Sequence, residues 1–333
     1  MDDGVAQLAS VIAAHVGKSA KRDLPIWGSR EPGTIAAEIA RFCRDELAGT
    51  VARPLFYETS QGSVAGVELA DGRRVVVKAH HPAQDLAGLH ESVRVQMHLA
   101  SRGIYATTVC GGPAPIGRTL ATVEAYVTAG VTRDGHDPAV RAELARALFV
   151  IVGACRPLVA GSSLPPHYFA QAYAGLWPDG SDFASGSREA ERIDDLARAA
   201  RARMEPTGEL VIGHGDWRVQ QVLFDGGRVV AAHDWISLCK EREPALVGFT
   251  AFAFCVDWSR TPVPVSTLDD ARGFVADYEA ARGRAFSVAE RRLCGALFAY
   301  SYAYTARCFC GRSDGPRTFG DMVASHGSTL MEL

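Results

Sequence analysis

The sequence has no excess of charge of either sign. Its 35 Lys and Arg stand against 38 Asp and Glu, a formal net charge of −3. A nucleic-acid ligand calls for a basic face, which this balance does not supply. A polycationic ligand would be drawn by an acidic excess, and that is missing too. No run of about 18 apolar residues occurs, so no membrane-spanning helix is expected. Asp2 and Asp3 are followed by neither a basic segment nor a long apolar stretch, so no secretory signal is expected. The eight cysteines, at 43, 110, 155, 239, 255, 294, 308 and 310, never form Cys-x-x-Cys. Cys308 and Cys310 come nearest but lack zinc spacing and a matching second pair. Most of the cysteines read as small core residues of a reduced, cytoplasmic protein. Internal repeats, low-complexity tracts and heptad arrays are also lacking.

What the sequence does have is length and apolar content. Its 333 residues, 47% of them apolar, suffice for two domains with a substantial core. The most informative stretch is 210–236. Val211-Ile212 lead in, and His214-Gly215-Asp216 opens a polar loop. Val222-Leu223-Phe224 and Val229-Val230-Ala231-Ala232 read as two strands joined at Asp225-Gly226-Gly227, a hairpin signal. Asp234 closes the second strand. The hairpin therefore brings Asp216 and Asp234 to one end. Two carboxylates at one mouth are tolerated when a cation lies between them, and Mg²⁺ with nucleotide phosphates fits. Solvated acids at loop ends are the plainer alternative.

This ordered set resembles the His-x-Asp-x-x-x-x-Asn loop and second acid of the aminoglycoside phosphotransferase and choline kinase family, distant relatives of protein kinases. His214, Asp216 and Gln221 occupy the loop positions, with Gln221 where the family usually has Asn. Asp234 matches the counterpart of the Asp-Phe-Gly acid. Arg218 falls where protein kinases carry a lysine near the transferring phosphate. The resemblance implies that Asp216 positions the acceptor hydroxyl, that His214 braces the loop, and that Gln221 and Asp234 hold the metal.

Taken in order, the chain opens with a helical period (Val5, Leu8, Ile12, Val16). A polar connector is expected at 18–32, then an amphipathic helix over 35–47. From Pro54 the pattern turns to strands. Ser60, Gly62 and Ser63 form a small-residue loop whose backbone can approach phosphates. Val75-Val76-Val77-Lys78 resembles the kinase strand whose lysine holds the inner phosphates. Glu91, in a helix over 86–100, is the expected partner of Lys78, although a first-turn acid is also favoured by the helix dipole. Gly111-Gly112-Pro113 is expected to break the chain. Glu124, Ala125, Tyr126 and Val127 are the expected base-binding stretch. Helices are expected over 139–155, 189–204, 245–256, 271–281 and 293–310, the last studded with tyrosines. A mobile surface loop is expected at 180–187.

The expected fold is α/β (α+β): a protein-kinase-like two-lobed fold, with a small antiparallel-sheet N-lobe and a larger helical C-lobe. The expected divisions are a helical extension at 1–49, the N-lobe at 50–127 and the C-lobe at 128–333. The family resemblance implies a phosphotransferase using ATP or GTP with Mg²⁺ on a small-molecule hydroxyl acceptor. Antibiotic inactivation is the leading implication, with a neutral glycosylated or nucleoside compound favoured over a polycation. Two alternatives stay open: a choline- or sugar-type metabolite kinase, and a pseudokinase-like module that binds nucleotide without transfer.

Overall fold

The computed structural model describes residues 3–181, 183, 186–312 and 315–333. The chain falls into two compact units, Met1–Thr128 and Ala129–Leu333.

The first unit is a five-stranded antiparallel sheet with helices. It begins with α1 (Asp3–Trp27) and α2 (Pro32–Leu47), then β1 (Val51–Thr59), β2 (Ser63–Leu69) and β3 (Arg74–Ala79). A helix, α3 (Leu86–Ala100), precedes β4 (Val109–Ile116) and β5 (Thr119–Ala125). The strand order is β1-β2-β3-β5-β4. Strand residues alternate between faces, so Val75, Val77 and Ala79 of β3 share one face with Ala121 and Val123 of β5. That face is buried against Leu8 and Ile12 of α1 and Ile35, Ile39 and Phe42 of α2. The opposite face carries Lys78, Thr122 and Glu124.

Two sequence expectations change here. Residues 18–32 do not begin as a connector, because α1 continues through Pro25 to Trp27. The backbone hydrogen bond that Pro25 cannot make is offset by burial of the apolar Ile26 and Trp27 that follow it. Gly111-Gly112-Pro113 lies inside β4 rather than ending a segment, and it appears as register shifts against β5. Gly112 is required there. Its φ is +75°, and a Cβ would stand 2.3 Å from the Ala121 carbonyl oxygen.

The second unit is mostly helical. It contains α4 (Pro138–Cys155), α5 (Arg188–Arg201), α6 (Glu243–Ala253), α7 (Leu268–Arg282), α8 (Val288–Phe309) and α9 (Thr318–His326). Between α5 and α6 come β6 (Leu210–His214), β7 (Val222–Asp225), β8 (Arg228–Ala232) and β9 (Leu238–Arg242). β6 pairs with β9, and β7 with β8, both antiparallel. Gly226 and Gly227 turn the β7–β8 hairpin with φ of +52° and +80°, the handedness a tight hairpin needs. α6 is buried along its whole length, as its apolar sequence demands. α7 and α8 begin at capping boxes, Thr267 with Asp270 and Ser287 with Glu290. Of the loop expected at 180–187, Asp182, Ala184 and Ser185 lie outside the described residues. No described helix is long and apolar enough to cross a membrane.

Candidate active site

The loop after β6 is held from several sides. His214 is fully buried, and its Nδ1 accepts the Asp216 backbone N–H at 3.2 Å. Its Nε2 therefore carries the proton and donates to the His233 carbonyl at 2.8 Å. Both ring nitrogens are thus engaged with backbone, and His214 ties the loop to the residue before Asp234. Trp217, also fully buried, donates from Nε1 to the Leu144 carbonyl of α4 at 3.0 Å. Gly215 donates to the Ser237 carbonyl at 2.8 Å and accepts from His167 Nε2 at 3.0 Å.

Asp216 keeps a quarter of its side chain open to solvent. Its Oδ2 pairs with Arg218 Nη2 at 3.0 Å and accepts from Gln221 Nε2 at 3.3 Å. The other carboxylate oxygen has no partner among the described residues. Burial pushes the Asp216 carboxyl up to about 7, and the negative charge of Asp234 adds to the rise. Arg218 and Gln221 oppose it.

Asp234 takes up the left-handed region, φ +62°, which Asp tolerates better than most residues. Ser237 steadies it, donating from Oγ to Asp234 Oδ2 at 3.1 Å. The His233 N–H donates to the Gln221 carbonyl at 2.8 Å and closes the hairpin mouth. Glu143 of α4 accepts the Val229 N–H at 3.0 Å and pairs with Arg228 at 2.9 Å, which seats the hairpin on that helix. The structure thus brings Asp216, Arg218, Gln221 and Asp234 together.

A divalent cation can be tested against this donor set. Gln221 gives its amide nitrogen to Asp216, so its carbonyl oxygen faces elsewhere. Asp216 feels the charge of Asp234. No group of three or more His, Cys, Asp or Glu side chains suited to a metal occurs among the described residues. A carboxylate and an amide oxygen form a short, hard set, which suits a cation that takes its remaining oxygens from phosphate and water.

In the first unit the expectations divide. Lys78 pairs with Glu124, Nζ to Oε2 at 2.8 Å, and not with Glu91. Glu91 instead takes Arg94, one turn along its own helix, at 2.7 and 2.8 Å. A neighbour at i+3 on the same helix reaches the carboxylate first. Glu124, expected at the base-binding stretch, therefore spends its side chain on the lysine. Ala125 and Tyr126 give their N–H groups to Thr108 and Arg74.

Ser63 is buried, and its hydroxyl lies 3.3 Å from Asp23 and 3.1 Å from Trp27 Nε1, both on α1. The hydroxyl faces the helical side of the sheet. Ser60 is exposed, and its N–H donates to the Gly62 carbonyl at 2.9 Å. A Cβ on Gly62 would stand 2.5 Å from the Ala79 carbonyl oxygen, so only glycine lets the loop lie on the end of the Lys78 strand.

Sequence reasoning missed His167, Trp217 and Glu143 as supports of the site. It also missed Thr107 and Gln96, which reach Glu124. Pro165-Pro166-His167 carried the only signal for the first of these, and it reads as an ordinary loop.

A family model described as the phosphotransferase enzyme family, APH, matches residues 64–283. The chain belongs to this family. As a member it is a phosphotransferase. Solved structures share the fold of this phosphotransferase at low identity. An aminoglycoside phosphotransferase from Alicyclobacillus acidocaldarius subsp. acidocaldarius DSM 446 is 12% identical. It has a TM-score of 0.54 over 87% of this chain and 93% of that one. A thermostable mutant aminoglycoside phosphotransferase, in ternary complex with ADP and hygromycin B, is 14% identical. Its TM-score is 0.54 over 89% and 98% of the two chains. Amicoumacin kinase with AMP-PNP, Ca²⁺ and its ligand is 8% identical, with a TM-score of 0.54 over 84% and 88%. No curated protein matches the sequence.

Proposed function

We propose that this phosphotransferase moves the γ-phosphate of ATP or GTP to a hydroxyl of a small-molecule antibiotic, inactivating it in the cytoplasm. The observation that carries the transfer chemistry is the Asp216 carboxylate. One of its oxygens is fixed by Arg218 and Gln221, the other has no partner among the described residues, and its affinity for a proton is raised. Phosphoryl transfer asks mainly for positioning and charge stabilisation. Asp216 accepts a hydrogen bond from the acceptor hydroxyl and takes its proton as the new P–O bond forms and the bond to the nucleotide's leaving oxygen breaks. A group titrating near neutrality is well matched to that proton transfer. Arg218 offsets charge on the transferred group, and Lys78 steadies the inner phosphates. Asp234 and Gln221 would hold Mg²⁺, which when bound supplies positive charge to the phosphate oxygens.

The acceptor class is supported by aromatic rings in the second unit. His167 holds Gly215, next to Asp216, and the adjoining Tyr168 is 46% exposed. Tyr168 lies in ring contact with Tyr173 and Tyr304. Arg201 stacks on Tyr173 and Tyr300, placing positive charge beside these rings. Flat rings and a cation favour a neutral glycosylated or nucleoside acceptor over a polycation. The similar structures named above, which include an aminoglycoside phosphotransferase and an amicoumacin kinase, support an antibiotic acceptor.

The test is donor consumption with Mg²⁺ and either ATP or GTP, across aminoglycoside, macrolide, peptide and nucleoside antibiotics, choline and simple sugars. An antibiotic that gains one phosphate by mass is the expected result. Turnover confined to choline or a sugar would replace the antibiotic reading with a metabolite kinase. Nucleotide binding without any transfer would favour the pseudokinase-like module.

A further inference from the structure

We propose that Lys78 takes its orienting acid from strand β5, and that Thr107 and Gln96 are positioning residues for that lysine. The proposal rests on the reading that Lys78 holds the donor nucleotide's phosphates. Register places the acid. Lys78 lies opposite Thr122 and Val76 opposite Glu124, so Lys78 and Glu124 are diagonal neighbours on one face of the sheet. Glu124 is 4% exposed. A carboxylate buried that deeply must be paired and hydrogen-bonded. Lys78 Nζ stands 2.8 Å from its Oε2, and Thr107 Oγ1 donates to the same oxygen at 2.7 Å.

The direction of the Thr107 hydroxyl is set by Gln96 of α3. Gln96 Nε2 lies 3.1 Å from the Thr107 carbonyl oxygen and 3.0 Å from Thr107 Oγ1. A carbonyl oxygen only accepts, so the amide must turn its NH₂ towards Thr107. Thr107 Oγ1 then accepts from Gln96, and its single proton is left for Glu124. Gln96 and Thr107 are themselves 4% and 5% exposed, so water does not compete for these bonds. The result is a directed line, Gln96 to Thr107 to Glu124, ending at the lysine. Despite the cost of burial, the Lys78 charge and the donated bonds keep the Glu124 carboxyl below its ordinary range. Lys78 is held by its ion pair with Glu124 and has three N–H donors, which suits it to phosphate oxygens as well. Helix α3 thus reaches Lys78 through a neutral amide, while its own acid, Glu91, is held by Arg94.

The experiment is calorimetric binding of ATP with Mg²⁺ to the full chain, with thermal melting to confirm folding. The variants are Thr107→Val, Thr107→Ser, Gln96→Met, Glu124→Gln and Glu91→Gln, with Thr107→Val and Gln96→Met repeated in a Lys78→Met background. Loss of one charge-assisted bond corresponds to roughly tenfold in affinity. Thr107→Val and Gln96→Met should each weaken ATP by about that factor when Lys78 is present, and not at all when it is Met. Thr107→Ser should bind as the parent does. Equal weakening in both backgrounds would make these residues merely structural and overturn the proposal. So would a Glu91→Gln loss as large as that of Glu124→Gln. Unchanged ATP affinity in Lys78→Met alone would instead refute the phosphate role of the lysine, and the proposal with it.

Discussion

At Asp216, burial and the carboxylate of Asp234 act in one direction and Arg218 in the other. The sum leaves the carboxyl near 7 where an unperturbed Asp titrates at 3.8. A base works only when ionised, so kcat/KM should rise as pH climbs through about 7 and level off above it. Arg218→Gln removes the opposing charge and should move that limb to higher pH. A profile already flat well below neutrality would show that Asp216 is not the group being titrated. At Gln221 the length of the side chain matters. Asn is one methylene shorter and keeps the amide, so Gln221→Asn should retain or raise activity if the amide oxygen reaches the metal. Loss of the Mg²⁺ dependence, or of activity, in Gln221→Asn would contradict that role.

The elements that hold these residues have their own consequences. His167 lies under the loop with its ring against Phe249, centroids 4.1 Å apart, and burial lowers its imidazole to about 4. The neighbouring acid is Glu241, whose Oε2 accepts the His167 backbone N–H at 3.1 Å and whose carboxyl burial raises. The unfolded imidazole titrates near 6.5 and the folded one near 4, so the unfolded chain binds the proton first as pH falls. The stability contributed is complete above about 6.5 and is lost as pH drops towards 4. His167→Gln should therefore make stability less steep over that range, by on the order of 3 kcal/mol at its acid end. An unchanged slope in chemical denaturation would refute this. In the β1–β2 loop, Gly62→Ala would press a methyl against the Ala79 carbonyl. It should weaken nucleotide binding more than it lowers the melting temperature, because the displaced backbone lies beside Lys78; an unaffected Kd would remove this loop from the donor site.

How much of this is legible in the sequence depends on how local the cause is. The hairpin with an acid at each end is legible because Gly226-Gly227 and the flanking apolar runs lie within one short stretch. Lys78 stands out because its strand pattern is local too. Its partner does not, since Glu124 is chosen by register across β3 and β5, and a helix acid close in sequence is the more obvious candidate. The hold of α1 on the Ser63 hydroxyl is equally non-local, from Asp23 forty positions earlier. The hydrogen bond from His167 to Gly215 spans 48 positions and leaves no periodic trace. Pro25 suggests a break, whereas the burial of Ile26 and Trp27 carries the helix through it.

At the scale of the whole molecule, the first unit depends on its N-terminal helices. Leu8, Ile12, Ile35, Ile39 and Phe42 fill the face of the sheet opposite Lys78. Ile39→Ala should cost on the order of 2–5 kcal/mol, the usual penalty for an emptied core position. Its effect should appear in unfolding and not in the nucleotide KM of the folded enzyme. The family match covers 64–283 and leaves α1 and α2 outside it. Their packing on the sheet makes them part of the support for the lysine strand.

The central claim is that Asp216 directs phosphate to an acceptor hydroxyl. Its most direct test is turnover of Asp216→Ala, with Mg²⁺ and the preferred nucleotide, on whichever acceptor the wild-type enzyme phosphorylates. The predicted result is a fall in kcat of about 10²–10⁴-fold with nucleotide affinity little changed, the range associated with a positioned acid–base group. Turnover at the wild-type rate, with the phosphate still arriving on the acceptor, would contradict it.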